Sequence, residues 1–166
     1  MSVAFTKEED SESQAANLLD RPISAHANLV TAQGLAQLEA GLAAARAAYA
    51  AAQAGGEINT DRTAMARATR DLRYFSARRG SAQLIETPQT PDKVVFGGSV
   101  RFERADGRTA TYRIVGEDEA DPAKGAVSYV SPLARALLGK AVGDVATVAG
   151  TEIEVLAVGG ARPSSA

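Results

Sequence analysis

Tyr112-Arg113-Ile114-Val115-Gly116, Ser131-Pro132-Leu133-Ala134-Arg135-Ala136-Leu137-Leu138-Gly139 and Val142-Gly143-Asp144 follow one another in the last third of the chain, and their reading decides the fold. The first run is rich in β-formers and stops at glycine, as a strand entering a turn does. In the second, Ser131 can cap a short helix and Pro132 suits its first turn. Leu133, Leu137 and Leu138 give that helix an apolar face, and Gly139 ends it. Outward from these runs, strands are predicted at Val94–Phe96, Ser99–Glu103, Thr109–Val115, Ala126–Tyr129, Val145–Val148 and Glu152–Val158. Asp106-Gly107 turns the hairpin between the second and third. The sum is a twisted, mostly antiparallel sheet with one covering helix, an α+β domain over residues 93–160.

Upstream, Thr87-Pro88-Gln89-Thr90-Pro91 breaks every periodicity, and residues 87–92 read as a linker. Residues 29–86 before it read as a helical hairpin. Leu35, Leu38, Leu42, Ala45, Tyr49 and Ala52 recur at alternating steps of three and four, which places them on one stripe of a helix. Thr31 is the expected N-cap, and Gly55-Gly56 the stop. Met65, Ala68, Leu72 and Phe75 repeat the pattern on a returning limb from about Asp61 to Ile85. Neither limb can bury its stripe alone and the connector is short, so an antiparallel coiled coil is predicted. Residues 1–28 are polar and acidic at the start. They read as a flexible tail with room for one helical turn around Ala15 to Leu19, and residues 161–166 as a second tail.

Composition narrows the function. The chain has 166 residues and a net charge of −2, so bulk positive charge does not carry it to nucleic acid. Without cysteine there is no disulfide framework and no thiolate metal site. No apolar run approaches the roughly 20 residues of a membrane helix. The N-terminus is too acidic for a secretory signal, and a cytoplasmic protein is expected.

In the order of its parts, residues 30–158 resemble the Gre family of bacterial transcription elongation factors. The words that carry the resemblance are Val30-Thr31 with Gly34-Leu35, Arg73-Tyr74-Phe75, Val95-Phe96-Gly97, Gly116-Glu117-Asp118-Glu119-Ala120-Asp121, and the C-terminal runs quoted above. The resemblance implies a C-terminal domain similar to the FK506-binding-protein fold, docked on the rim of the RNA polymerase secondary channel, with the coiled coil extending down it. By the same resemblance, Asp118, Asp121, Pro122, Ser131, Pro132, Leu133 and Arg135 are the expected polymerase contacts. In the family's cleavage factors, two acids at the coiled-coil tip help hold a second Mg²⁺ in the polymerase active site, and the polymerase then cuts its own backtracked RNA. Hard oxygen ligands and paired metals suit that chemistry.

This chain departs from the pattern at the tip. The family reads Gly-Asp, two residues, then Glu-Asn; here the stretch is Gly56-Glu57-Ile58-Asn59-Thr60-Asp61. Glu57 stands for the first acid, but Thr60 takes the place of the second, and Asp61 lies one position on. Glu57 and Asp61 are therefore the candidate ligands of a shared polymerase Mg²⁺, and the chain has no cofactor of its own. Each limb also counts about six to eight residues shorter than in the cleavage factors, on the order of 9–12 Å of reach. A Mg²⁺ ligand must lie within about 2.1 Å of its ion, so side-chain flexibility cannot absorb that deficit. Both departures predict channel binding with weak or absent transcript cleavage, by a monomer that is not itself an enzyme and meets nucleic acid only through the polymerase. The alternatives are a full cleavage factor acting through Asp61, a self-associating structural coiled coil, and a peptidyl-prolyl isomerase. The last rests only on fold analogy, and the domain's few aromatics make a poor proline pocket.

Three other features bear on function. Arg62, Arg67, Arg70, Arg73, Arg78 and Arg79 outnumber the acids of the returning limb. The first four are expected to face the channel, though a solvated helix face explains them nearly as well. Glu117, Asp118, Glu119 and Asp121 have no cation-loop spacing and are expected to form a solvated acidic loop. His26 has no partner at a catalytic spacing, and the paired glycines match no phosphate-binding pattern.

Overall fold

A computed structural model of the protein describes residues 18–55 and 62–162. It divides into two compact units, one drawn from Met1–Ala25 and Ala36–Ser81, the other from His26–Leu35 and Ala82–Ala166. These bounds differ from the expected 1–28, 29–86 and 93–160 blocks, because His26–Leu35 belongs with the sheet.

The first unit holds a helical hairpin of α1 (Ala32–Ala54), which begins in the other unit, and α2 (Arg62–Ser81). Every member of the predicted α1 stripe is buried or half-buried, while most positions between them are exposed. Leu38 and Ala45 are the deepest on α1, and Ala68 is buried on α2. The helices run antiparallel. Glu39 near the start of α1 meets Arg79 near the end of α2 at 3.0 Å, and a Cβ on Gly41 would lie 2.5 Å from the Phe75 ring. Glycine is needed at 41 for that close approach. α2 stops at Ser81 rather than near Ile85. Gly80 weakens the last turn, and the chain beyond it finds strand partners instead. Residues 18–28, expected as tail, are also tied down in part. Arg21 lies 3.8 Å over the Tyr74 ring and 3.5 Å from Asp71, and Asp20 pairs with Arg73 at 3.2 Å. Leu18 and Leu19 are not helical; the rest of the expected turn at Ala15 lies outside the described residues.

The second unit contains two sheets. The smaller pairs β1 (Leu29–Val30) with β2 (Gln83–Leu84) in parallel, and Gln83 and Ile85 donate their N–H groups to Asn28 and Val30. The larger is five-stranded: β3 (Ser99–Arg104), β4 (Thr109–Val115), β5 (Ala126–Ser128), β6 (Val145–Val148) and β7 (Thr151–Gly159), in the order β5-β4-β3-β7-β6. All pairs are antiparallel except β4 with β5. Val100 and Phe102 on β3, Ile114 on β4, and Ile153 and Val155 on β7 alternate inward and form the core with Val127, Ala146, Ala134 and Leu137. The last two belong to α3 (Pro132–Leu137), which packs on β6. Asp106-Gly107 forms the expected turn, with Gly107 at φ +82°. The expected strand Val94–Phe96 is absent. Val94 instead exchanges two backbone hydrogen bonds with Gly139 and Lys140, too short a contact to continue a ladder.

Candidate functional site

The parallel pairing of β4 and β5 places the expected docking residues around one sheet edge. Because the strands are parallel, the chain must cross back between them, and residues 116–125 make that crossing. Gly116 opens it where a Cβ would sit 2.3 Å from the Leu29 carbonyl oxygen. Ala120 donates its N–H to the Gly116 carbonyl, and Asp121 exchanges two backbone hydrogen bonds with Ala126. A 3₁₀ turn at Pro122–Lys124 and Gly125 at φ +77° complete the reversal. Six backbone hydrogen bonds anchor these ten residues and make this a built loop.

Asp118 and Pro122 are exposed on that loop, and Asp121 is half-buried with Lys124 at 4.0 Å. Beyond β5, Tyr129 donates its N–H to the Val115 carbonyl, so the segment leading to α3 leaves from the same end of the edge as the loop begins. Ser131 has extended φ/ψ and accepts a hydrogen bond from the Ala134 N–H at 3.2 Å; Pro132 follows at the first helical position. That is the cap expected from the residues. Pro132 and Arg135 are exposed, while Leu133 packs against the core. The surface thus combines an acidic loop, a capped helix start and one exposed arginine.

One member of the acidic run behaves differently from expectation. The Glu119 side chain is only 5% exposed and is not part of a solvated loop. Its Oε2 accepts the Thr31 hydroxyl at 2.6 Å, and its Oε1 pairs with Arg113 at 3.1 Å. Thr31 Oγ1 in turn accepts the Gly34 N–H at 3.0 Å, which caps α1 as predicted. Thr31, Glu119 and Arg113 therefore form a chain of charge-assisted hydrogen bonds joining the loop, β4 and the start of α1. A buried carboxylate can persist when it is so satisfied. Sequence reading missed the group because its partners lie 88 and 6 residues away. No local signal marks it, because Glu117, Asp118 and Glu119 are three consecutive acids in a turn.

In the hairpin unit, Arg62, Arg67 and Arg73 are exposed and Arg70 is half-buried, 3.5 Å from Asp71. The limb carries less free charge than its composition suggests. Arg73 pairs with Asp20, Arg79 with Glu39, and Arg78 is 2% exposed. The tip residues Glu57, Thr60 and Asp61 lie outside the described residues. Among the described residues no group of three or more His, Asp or Glu side chains could hold a metal ion, and no helix is long and apolar enough to cross a membrane.

Residues 88–159 match the family model of the transcription elongation factor GreA/GreB C-terminal domain. Over these residues the chain carries a GreA/GreB C-terminal domain. The GreA of Desulfovibrio desulfuricans is 41% identical over 97 residues, 57% of this chain and 59% of that protein. The GreB of Haemophilus ducreyi is 46% identical over 76 residues, 45% of this chain and 47% of that protein. The chain thus spans about half the length of the curated Gre relatives it matches. Among solved structures, the GreA factor homolog Gfh1 of Thermus thermophilus aligns over 80% of this chain and 99% of its own, at 20% identity and a TM-score of 0.38. The hairpin and the mixed sheet stand on the structure's own geometry.

Proposed function

We propose that this protein acts as a Gre-family factor, binding RNA polymerase at its secondary channel and regulating elongation with weak or absent stimulation of transcript cleavage. The observation that carries the docking half is the built acidic loop beside the capped α3, inside the segment that matches the family's C-terminal domain. Asp118, Asp121, Pro122, Ser131, Pro132, Leu133 and Arg135 supply its contacts. A loop held by backbone hydrogen bonds meets a partner with little ordering cost, which favours a specific if modest interface.

The regulatory half rests on the tip sequence. Glu57 provides one hard ligand, but Thr60 offers a neutral hydroxyl where a second carboxylate is needed for Mg²⁺. The exposed Arg62, Arg67 and Arg73 give the hairpin a positive side suited to an acidic channel wall. In this reading the protein is a cytoplasmic monomer, is not itself an enzyme, and reaches nucleic acid only through the polymerase. Asp61, one residue beyond Thr60, favours the competing reading of a cleavage factor with a rearranged tip.

The docking half is tested by binding to core RNA polymerase. Asp121→Arg and Arg135→Glu each reverse a charge on the proposed face and are expected to weaken binding about tenfold or more. Wild-type affinity in both variants refutes this face as the contact.

A further inference from the structure

On the sheet unit, a cleft of about 750 Å³ opens beside the start of α1. Gln33, Arg113 and Arg162 supply its polar wall, Leu84 and Ile85 an apolar one, and Glu86 is its carboxylate. Its volume is that of a small-molecule site.

The polar wall has an unusual donor arrangement. Arg113 and Arg162 both donate to a single neutral oxygen, Gln33 Oε1, at 3.3 and 3.4 Å. Two guanidiniums repel each other, and an amide oxygen offsets little of that repulsion. The two arginines are not equally satisfied. Arg113 also pairs with Glu119 and donates through Nε to the Gly97 carbonyl at 3.2 Å. Arg162 is exposed and has no carboxylate within ion-pair distance among the described residues. Glu86 is exposed on the cleft without pairing with it. The Glu119 carboxylate already sits at the cap of α1, so the helix start is not the vacant position. What remains is one guanidinium without a carboxylate partner among the described residues and a second with spare donors, focused on a point where an anionic oxygen is a far better acceptor than an amide. Beside that point, Leu84 is 51% exposed and presents apolar surface to the body of a ligand.

We propose that this cleft binds a small organic oxyanion, a phosphate monoester or a carboxylate. Its charged oxygens take the donors now directed at Gln33 Oε1, and its apolar body lies on Leu84 and Ile85. Arg162 is the principal ligand and Arg113 the second. The site does not depend on polymerase binding.

The test is a titration of the full chain by amide NMR with phenyl phosphate, benzoate and inorganic phosphate as probes. Saturable shifts centred on residues 33, 84–86, 113 and 162 are expected with at least one organic anion. Response to phenyl phosphate alone assigns a phosphate ligand, and response to benzoate alone a carboxylate. Inorganic phosphate is expected to bind more weakly than phenyl phosphate. Arg162→Ala is expected to lower affinity at least about tenfold, and Arg162→Lys by less. Gln33→Glu places a carboxylate inside the chain at the focus of both guanidiniums. It is expected to abolish binding while raising the melting temperature, a combination that loss of folding cannot mimic. Absence of saturable shifts with every probe, or wild-type affinity in Gln33→Glu and Arg162→Ala, overturns the proposal.

Discussion

Replacing Glu119 tests whether the acidic loop is held from within or merely solvated. Its carboxylate accepts the Thr31 hydroxyl at 2.6 Å and Arg113 at 3.1 Å, with only 5% of the side chain exposed. A hydrogen bond to a charged group contributes about 1.5–3 kcal/mol, and stranding a buried charge costs about 3–5 kcal/mol. Arg113 is not fully stranded, because it keeps the Gly97 and Gln33 oxygens and is 19% exposed. Glu119→Ala is therefore expected to cost about 2–3 kcal/mol. Glu119→Gln retains an acceptor for Thr31 and is expected to cost about 1–2 kcal/mol. Thr31→Val removes the same bond together with the α1 cap, for about 2 kcal/mol. Because the two residues share a hydrogen bond, the double variant should fall short of additivity by about 1 kcal/mol. The chain has no tryptophan and four tyrosines. Urea unfolding read by tyrosine fluorescence in a Tyr49→Phe, Tyr74→Phe background follows Tyr112 and Tyr129 of the sheet unit alone. The exposed Glu152→Ala serves as control, expected within about 0.5 kcal/mol of wild type. If Glu119→Ala costs no more than that control, or the pair is strictly additive, the bonded network does not hold the loop.

Three further predictions concern other parts of the molecule. Gly41→Ala gains about 1 kcal/mol of helix propensity but places a Cβ 2.5 Å from the Phe75 ring; overpacking of about 1–3 kcal/mol should make the variant net destabilised. In a Phe75→Leu background the same change should become stabilising, which calorimetry of the four variants checks. Ala149 holds φ +49° ahead of Gly150 at φ +78° in the β6–β7 turn, so Ala149→Asn should stabilise by about 0.5–1 kcal/mol and raise the melting temperature by about 2–4 °C; a lower melting temperature refutes the strain. Thr60→Glu restores the family's second tip acid, and cleavage of arrested transcripts by this variant but not wild type would show that charge, rather than reach, is the obstacle.

The legible part of the fold is the part set by local periodicity and punctuation. The α1 stripe from Leu35 to Ala52 needs only the 3.6-residue period, and the Thr31 and Ser131 caps need only a hydroxyl three residues before an N–H. The Asp106-Gly107 turn is likewise local. What was not legible depends on partners distant in sequence. Two-residue strands carry no period, so the β1–β2 pairing left no trace, and with it went the true end of α2 at Ser81. Glu119 looked solvated because it sits among acids, and only the folded chain brings Thr31 to it across 88 positions. The basic limb was overcounted for a similar reason: Asp20 and Glu39, which pair with Arg73 and Arg79, lie outside that limb. The proposed docking residues come from family resemblance alone; two acids, two prolines, a serine, a leucine and an arginine carry no local signal of a partner.

The most direct test of the account adds the purified protein to an arrested elongation complex, alone and in competition with an active cleavage factor. The account predicts little release of 3′ RNA fragments by the protein alone, and dose-dependent suppression of cleavage when both compete for the channel. Prompt fragment release by the protein itself, or failure to compete at saturating concentration, contradicts it.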